Sequence, residues 1–145
     1  MKTVVVDASV VSKWYLEEEN SDKALEIRTL YTSGKLNLAA PVLVLYEVGN
    51  TLRKHPAITS EDATKAFSSL LEMRMDLRSF VESDSLKKTF EATRNFNITF
   101  YDGLYVSLAQ FCSAIFVTAD DALYNKIAGR INAVLLRKAK VENLL

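Results

Sequence analysis

The chain has 145 residues, 49% of them apolar and 25% charged, with 18 basic side chains against 18 acidic ones. That length and apolar content suit one sizeable hydrophobic core and exclude a disordered or low-complexity chain. The charge balance excludes a generally basic nucleic-acid coat, because nothing in the global field draws in a polyanion.

In chain order, Val4-Val5-Val6 is β-branched and apolar on both faces, so it predicts a buried strand of a parallel sheet. It ends at Asp7-Ala8-Ser9, where Ser9 can cap a helix running to about Leu16. Asn20, Ser21 and Asp22 start a second helix, which stops near Ser33-Gly34. Leu36–Ala40 is a second short strand, and Pro41 opens the next helix, ending around His55-Pro56. Thr59-Ser60-Glu61-Asp62 resembles a capping box and opens a helix to about Met75. Leu77 to Val81 reads as a third strand. Ser83 or Asp84 opens a helix through Phe96, and Tyr101 to Phe111 forms another. Ala114–Thr118 is the clearest later strand, Asp120 to Ala128 is helical, and Ala133–Leu136 is a final strand. Strands alternating with helices predict an α/β domain with a mostly parallel sheet. With four glycines, two prolines and no linker or repeat, a single domain over 1–145 is expected. No segment predicts a signal peptide or a membrane span, so a cytoplasmic protein without membrane contact is expected.

In such sheets the site lies at the carboxyl ends of the strands. Four acids sit there or nearby, each embedded in apolar sequence: Asp7, Glu47, Asp102 and Asp120. The plain alternative is helix capping for Asp7, Asp102, Asp120 and Asp121, with capping favoured for Asp121. Glu47 has no such role, because it stands inside a helix. If the four converge, they need a counter-charge. All-oxygen ligation suits Mg²⁺ or Mn²⁺. A zinc site of His and Cys is excluded, since the chain has one His and one Cys. The single Cys112 also excludes an internal disulfide and reads as inert core. His55 reads as a solvated helix-end residue. There is no glycine-rich dinucleotide or Walker motif, so no nucleotide cofactor is expected, and no G-x-S-x-G.

Val4-Val5-Val6-Asp7-Ala8-Ser9, Tyr46-Glu47-Val48-Gly49-Asn50-Thr51-Leu52, Tyr101-Asp102-Gly103-Leu104-Tyr105-Val106-Ser107-Leu108-Ala109 and Val117-Thr118-Ala119-Asp120 together resemble the ordered signature of PIN domains, most closely VapC-type toxins. Lys13-Trp14-Tyr15-Leu16 before an acidic stretch is similar to that branch as well. The resemblance implies a three-layer α/β/α fold and a Mg²⁺- or Mn²⁺-dependent endoribonuclease acting on RNA. It also implies a small antitoxin partner and a homodimer. Carried over residue by residue, Asp7, Glu47, Asp102 and Asp120 take the four acidic, metal-holding positions. Thr118 takes the hydroxyl position that supports them, and Asn50 a polar position one turn after Glu47. Asp121 is then a capper or an outer ligand, and Gly103 stands where a small residue is expected. Trp14, Tyr15 and Leu16 are candidates for a partner surface or for core. Lys13 is a candidate contact to RNA or antitoxin. Arg130, Arg137, Lys138 and Lys140 give the C-terminal end a positive balance that can guide RNA. Two other readings compete: a receiver-like phospho-acceptor domain, which needs an acceptor Asp after a middle strand, and a non-catalytic protein-binding module.

Overall fold

A computed structural model describes all of residues 1–145. Five strands form one sheet: β1 Thr3–Val6, β2 Asn37–Pro41, β3 Asp76–Arg78, β4 Ile115–Thr118 and β5 Ala133–Leu135. Their order is β3-β2-β1-β4-β5 and every pairing is parallel. Seven helices connect them: α1 Ala8–Val11, α2 Ser21–Thr32, α3 Leu43–Lys54, α4 Ser60–Glu72, α5 Ser83–Phe96, α6 Phe100–Phe111 and α7 Asp121–Ile127. Short 3₁₀ turns cover Ser12–Trp14, Leu136–Lys138 and Val141–Leu144. The result is the expected three-layer α/β/α arrangement. The chain winds from β1 out to β3, crosses back to β4, and continues to β5. With right-handed crossovers, that reversal sends the helices after β3 to the opposite face.

β1 occupies the centre, and Val4, Val5 and Val6 are fully buried, as an all-apolar strand covered on both faces requires. On one face α6 lies across β1, β2 and β4, with α5 packed outside it. That sandwiched position explains why Gly103 through Ala109 are buried without a break. The two helices approach so closely at Gly103 that a Cβ there would stand 2.7 Å from Thr93 Cγ2. No helix is long and apolar enough to cross a membrane.

The sequence reading differs from the structure at four boundaries. Asp7, not Ser9, caps α1, and the helix tightens into a 3₁₀ turn at Ser12 instead of running on to Leu16. The Tyr15 and Leu16 N–H groups both turn back to the Ser12 carbonyl. Pro41 ends β2 rather than opening α3. Asn37 N–H bonds the Lys2 carbonyl, so alternate β2 residues donate toward β1. At Pro41 that donor is missing, and the β1–β2 ladder stops at Val5 and Ala39. Finally, β3 is shorter and earlier than Leu77–Val81, and the expected helix from Thr59 ends at Glu72.

Candidate active site

The direction of winding reverses between β1 and β4, which is where a crevice opens at the strand ends. Asp7 follows β1 directly and is buried. Its Oδ1 accepts from the backbone N–H groups of Ser9 (3.1 Å) and Val10 (3.3 Å), and from the Ser9 hydroxyl. Its Oδ2 accepts from the hydroxyl of Thr118, the fully buried last residue of β4. Ser9 Oγ in turn accepts the Ala119 N–H at 2.8 Å, and Thr118 Oγ1 accepts the Asp120 N–H at 3.1 Å. Two hydroxyls therefore stitch the start of α1 to the end of β4 around one carboxylate.

Glu47 and Asp102 reach the same region from helices. Glu47 lies in the second turn of α3, and its Oε1 accepts from the Tyr105 hydroxyl of α6 at 2.6 Å. Asp102 lies in the first turn of α6, capped by Thr99. Asp120 caps α7, with Oδ1 accepting the Leu123 N–H at 3.0 Å.

The four carboxylates feel one another. Burial is the main reason that Asp7 is pushed up to about 6; hydrogen bonds from Ser9, Thr118 and Val10 oppose it, and the charge of Asp102 adds to it. Burial likewise raises Glu47, against the Tyr105 hydrogen bond and with the Asp102 charge. It raises Asp102 too, against the Thr99 side chain and Lys126, with Asp120 adding. None of the four is in a salt bridge. The site is thus an acidic cluster short of positive charge. No three of its carboxylates stand close enough to form a ready-made ligand shell.

A PIN domain model matches residues 4–129, which contain all four acids and the β1–β4 crevice. The chain belongs to the PIN domain family. It is 32% identical over 130 residues to the ribonuclease VapC3 of Pyrobaculum aerophilum, covering 85% of this chain and 93% of that one. Among solved structures, its fold resembles PAE2754 from Pyrobaculum aerophilum. That match has a TM-score of 0.67 and 23% identity over 99% of this chain and 96% of the other. It also resembles a toxin–antitoxin complex chain from Klebsiella pneumoniae, with TM-score 0.69 and 13% identity over 92% and 97%.

Other predicted residues of this PIN domain fall in different places. Asp120 takes the capping role that the sequence reading favours for Asp121. Asp121 instead pairs with Arg137, whose Nη2 stands 2.7 Å from Asp121 Oδ1. Arg137 is therefore engaged, while Lys138 remains an exposed surface cation. Asn50 is exposed, and its oxygen takes Arg53 Nε rather than a site group. Trp14 is core, not partner surface: it is buried and its indole N–H donates to the Ala24 carbonyl at 2.8 Å. Leu16 is buried with it, and Tyr15 packs half-buried against the same core. Lys13 is mostly covered and pairs with Glu18 at 3.1 Å. Arg130 lies over the Phe96 ring. Cys112 is half-buried at the end of α6 rather than in the core as expected, and burial pushes its thiol up. Two participants escaped the sequence reading. Ser9 was visible as a hydroxyl two residues after a strand-end acid. Tyr105 was visible only as a tyrosine one turn beyond Asp102 on α6.

Proposed function

We propose that this PIN domain is a Mg²⁺- or Mn²⁺-dependent endoribonuclease and the toxin of a toxin–antitoxin pair. The observation that carries the reading is the grouping of Asp7, Glu47, Asp102 and Asp120 around the β1–β4 crevice without a paired cation, with burial and neighbouring charge raising the first three. Similarity to a ribonuclease and to a chain from a toxin–antitoxin complex supports the substrate class and the antitoxin partner. A homodimer belongs to the same reading.

The donor set fits a hard divalent cation, being all oxygen. Because no three carboxylates converge as placed, it suits an ion that keeps part of its water shell, as Mg²⁺ does. Asp7, Asp102 and Asp120 would hold it, with Glu47 completing the cluster. When bound, the ion supplies positive charge for the phosphate and acidifies water. The residues do the rest. Ser9 and Thr118 keep Asp7 in one rotamer. Tyr105 holds Glu47 by Oε1 and leaves Oε2 to take a proton from the attacking water. That water attacks the phosphorus in line, the P–O3′ bond breaks, and the 3′-oxygen takes its proton from solvent. β3, the middle strand in chain order, is an edge strand of the sheet and ends in Arg78, which offers no central acceptor for the receiver-like alternative.

The test is RNA cleavage with Mn²⁺, Mg²⁺ and chelator, for the unmodified chain and Asp7→Asn. Cleavage that needs the metal and vanishes in the variant is expected. Cleavage in chelator, or an equally active variant, would overturn the proposal.

A further inference from the structure

The cluster has to hold a polyanion although the protein carries no net charge and the site itself is acidic. The cation whose field reaches Asp102 is Lys126, and its Nζ is bound to the Asn97 carbonyl at 2.9 Å. No lysine or arginine pairs with the cluster's carboxylates, so a contact that needs no charge suits RNA beside them. The tyrosines supply it. Of the six, Tyr15, Tyr31 and Tyr124 are half-buried and Tyr105 is core. The two that are exposed, Tyr46 at 71% and Tyr101 at 60%, each stand immediately before a site acid, Glu47 and Asp102. Neither ring pairs with another aromatic or a guanidinium, and neither hydroxyl is hydrogen-bonded.

Topology puts both at the mouth. α6 leads into β4 through a short turn, so its Phe111 end lies at the sheet's amino edge and its Phe100 end at the carboxyl edge. Tyr101 is four residues before Tyr105, hence on the same helical face and one turn further out. Tyr105 points at Glu47. α3 starts just after the carboxyl end of β2, so Tyr46 is in its first turns at the same edge. The two exposed residues thus stand at the carboxyl edge of the sheet, on the two helices that carry Glu47 and Asp102.

We infer that Tyr46 and Tyr101 are stacking platforms for two bases of single-stranded RNA, one on each side of the phosphate held at the acidic cluster. This rests on the ribonuclease reading above. Stacking on an aromatic face holds a base whatever its identity and needs no net charge. It also leaves the bases unpaired, so duplex RNA is a poor substrate.

The experiment measures KM and kcat on a short single-stranded RNA with Mn²⁺ for the unmodified chain, Tyr46→Ala, Tyr101→Ala and the corresponding Phe variants. Melting temperatures establish that each variant folds. Each alanine variant is expected to raise KM roughly tenfold, the size of one lost base stack, with kcat nearly unchanged. Each Phe variant should restore the parent KM. An abasic nucleotide beside the cleaved bond should raise KM in the parent but not further in the matching alanine variant. Unchanged KM in both alanine variants, or Phe variants as weak as alanine, overturns the stacking role while cleavage itself stands. Alanine variants that keep KM but lose binding to a protein partner reassign the rings to protein docking. No cleavage by the unmodified chain removes the ribonuclease reading, and this inference with it.

Discussion

The acidic cluster has two halves built in different ways. Asp7 and Asp120 follow strands, and the backbone fixes them: each caps the helix that starts there, and Thr118 and Ser9 tie the two segments together. Glu47 and Asp102 ride on helices, and Glu47 is held by a single side-chain hydrogen bond from Tyr105. The strand half is set once the sheet forms. The helix half sits half-buried and can shift without breaking a backbone contact. The difference assigns geometry to the first half and adjustment to the second.

The sharpest way to break that contrast is Asp7→Asn. It removes a charge at the rigid centre, and nuclease activity should fall by about 10²-fold or more, in line with losing one main charge-stabilising group. Stability should move the other way. Asp7 titrates near 6 when folded, against 3.8 for an ordinary aspartate. Between those values the folded chain binds more protons than the unfolded one. Metal-free stability is therefore greatest below about pH 4, as far as this group is concerned, and is lost as pH rises through about 6. Glu47 and Asp102 are raised and act in the same direction. Thermal melts in chelator from pH 4 to pH 7 should show this decline, a flatter one for Asp7→Asn, and reversal by Mn²⁺ at neutral pH. A variant that melts lower than the parent at neutral pH would show that the Asp7 hydrogen bonds outweigh its ionisation cost.

Thr118→Val tests the stitch itself. It leaves a buried carboxylate oxygen without its donor, which costs on the order of 1–3 kcal/mol. Chemical denaturation should read that loss, and activity should fall by roughly tenfold because Asp7 Oδ2 loses its anchor while Oδ1 keeps its own. Tyr105→Phe strikes the adjustable half. Water can replace the hydroxyl at half-buried Glu47, so the stability loss should be smaller, about 1 kcal/mol. Removing a hydrogen bond that lowers the Glu47 pKa should also move the acidic limb of the pH–rate profile upward. If Tyr105→Phe were as damaging as Thr118→Val, the two halves would be equally rigid. Smallest of all, Arg137→Ala breaks only an exposed pair with Asp121 and should leave the melting temperature and cleavage rate unchanged.

Much of this was legible in the chain before folding. Val4-Val5-Val6 and Phe116-Val117-Thr118 announced a doubly covered parallel sheet, and the acids at their ends marked the crevice. Thr59 announced its helix through a hydroxyl three residues before the N–H it caps. Capping at α7 was misread because Asp120 and Asp121 are adjacent and identical; only the backbone turn at Asp120 decides between them. Pro41 was misread because its ring suits both a first helical residue and the end of a strand whose neighbour has stopped. Trp14 stayed divided between core and partner surface because the short 3₁₀ turn that aims it inward is not written in the local pattern. Tyr105 was hidden among the unbroken apolar residues of α6, where nothing local distinguishes a ring that reaches a carboxylate from one that only fills space.

The Asp7–Thr118 bond joins residues that lie 111 positions apart. β1 is the first strand to be synthesised, yet β4, its second neighbour, is among the last. A growing chain therefore carries Asp7 at a strand end with the local Ser9 hydroxyl but without the Thr118 hydroxyl or the opposite wall until residue 118 has been made. The crevice that gathers the four acids exists only once β4 has been laid beside β1.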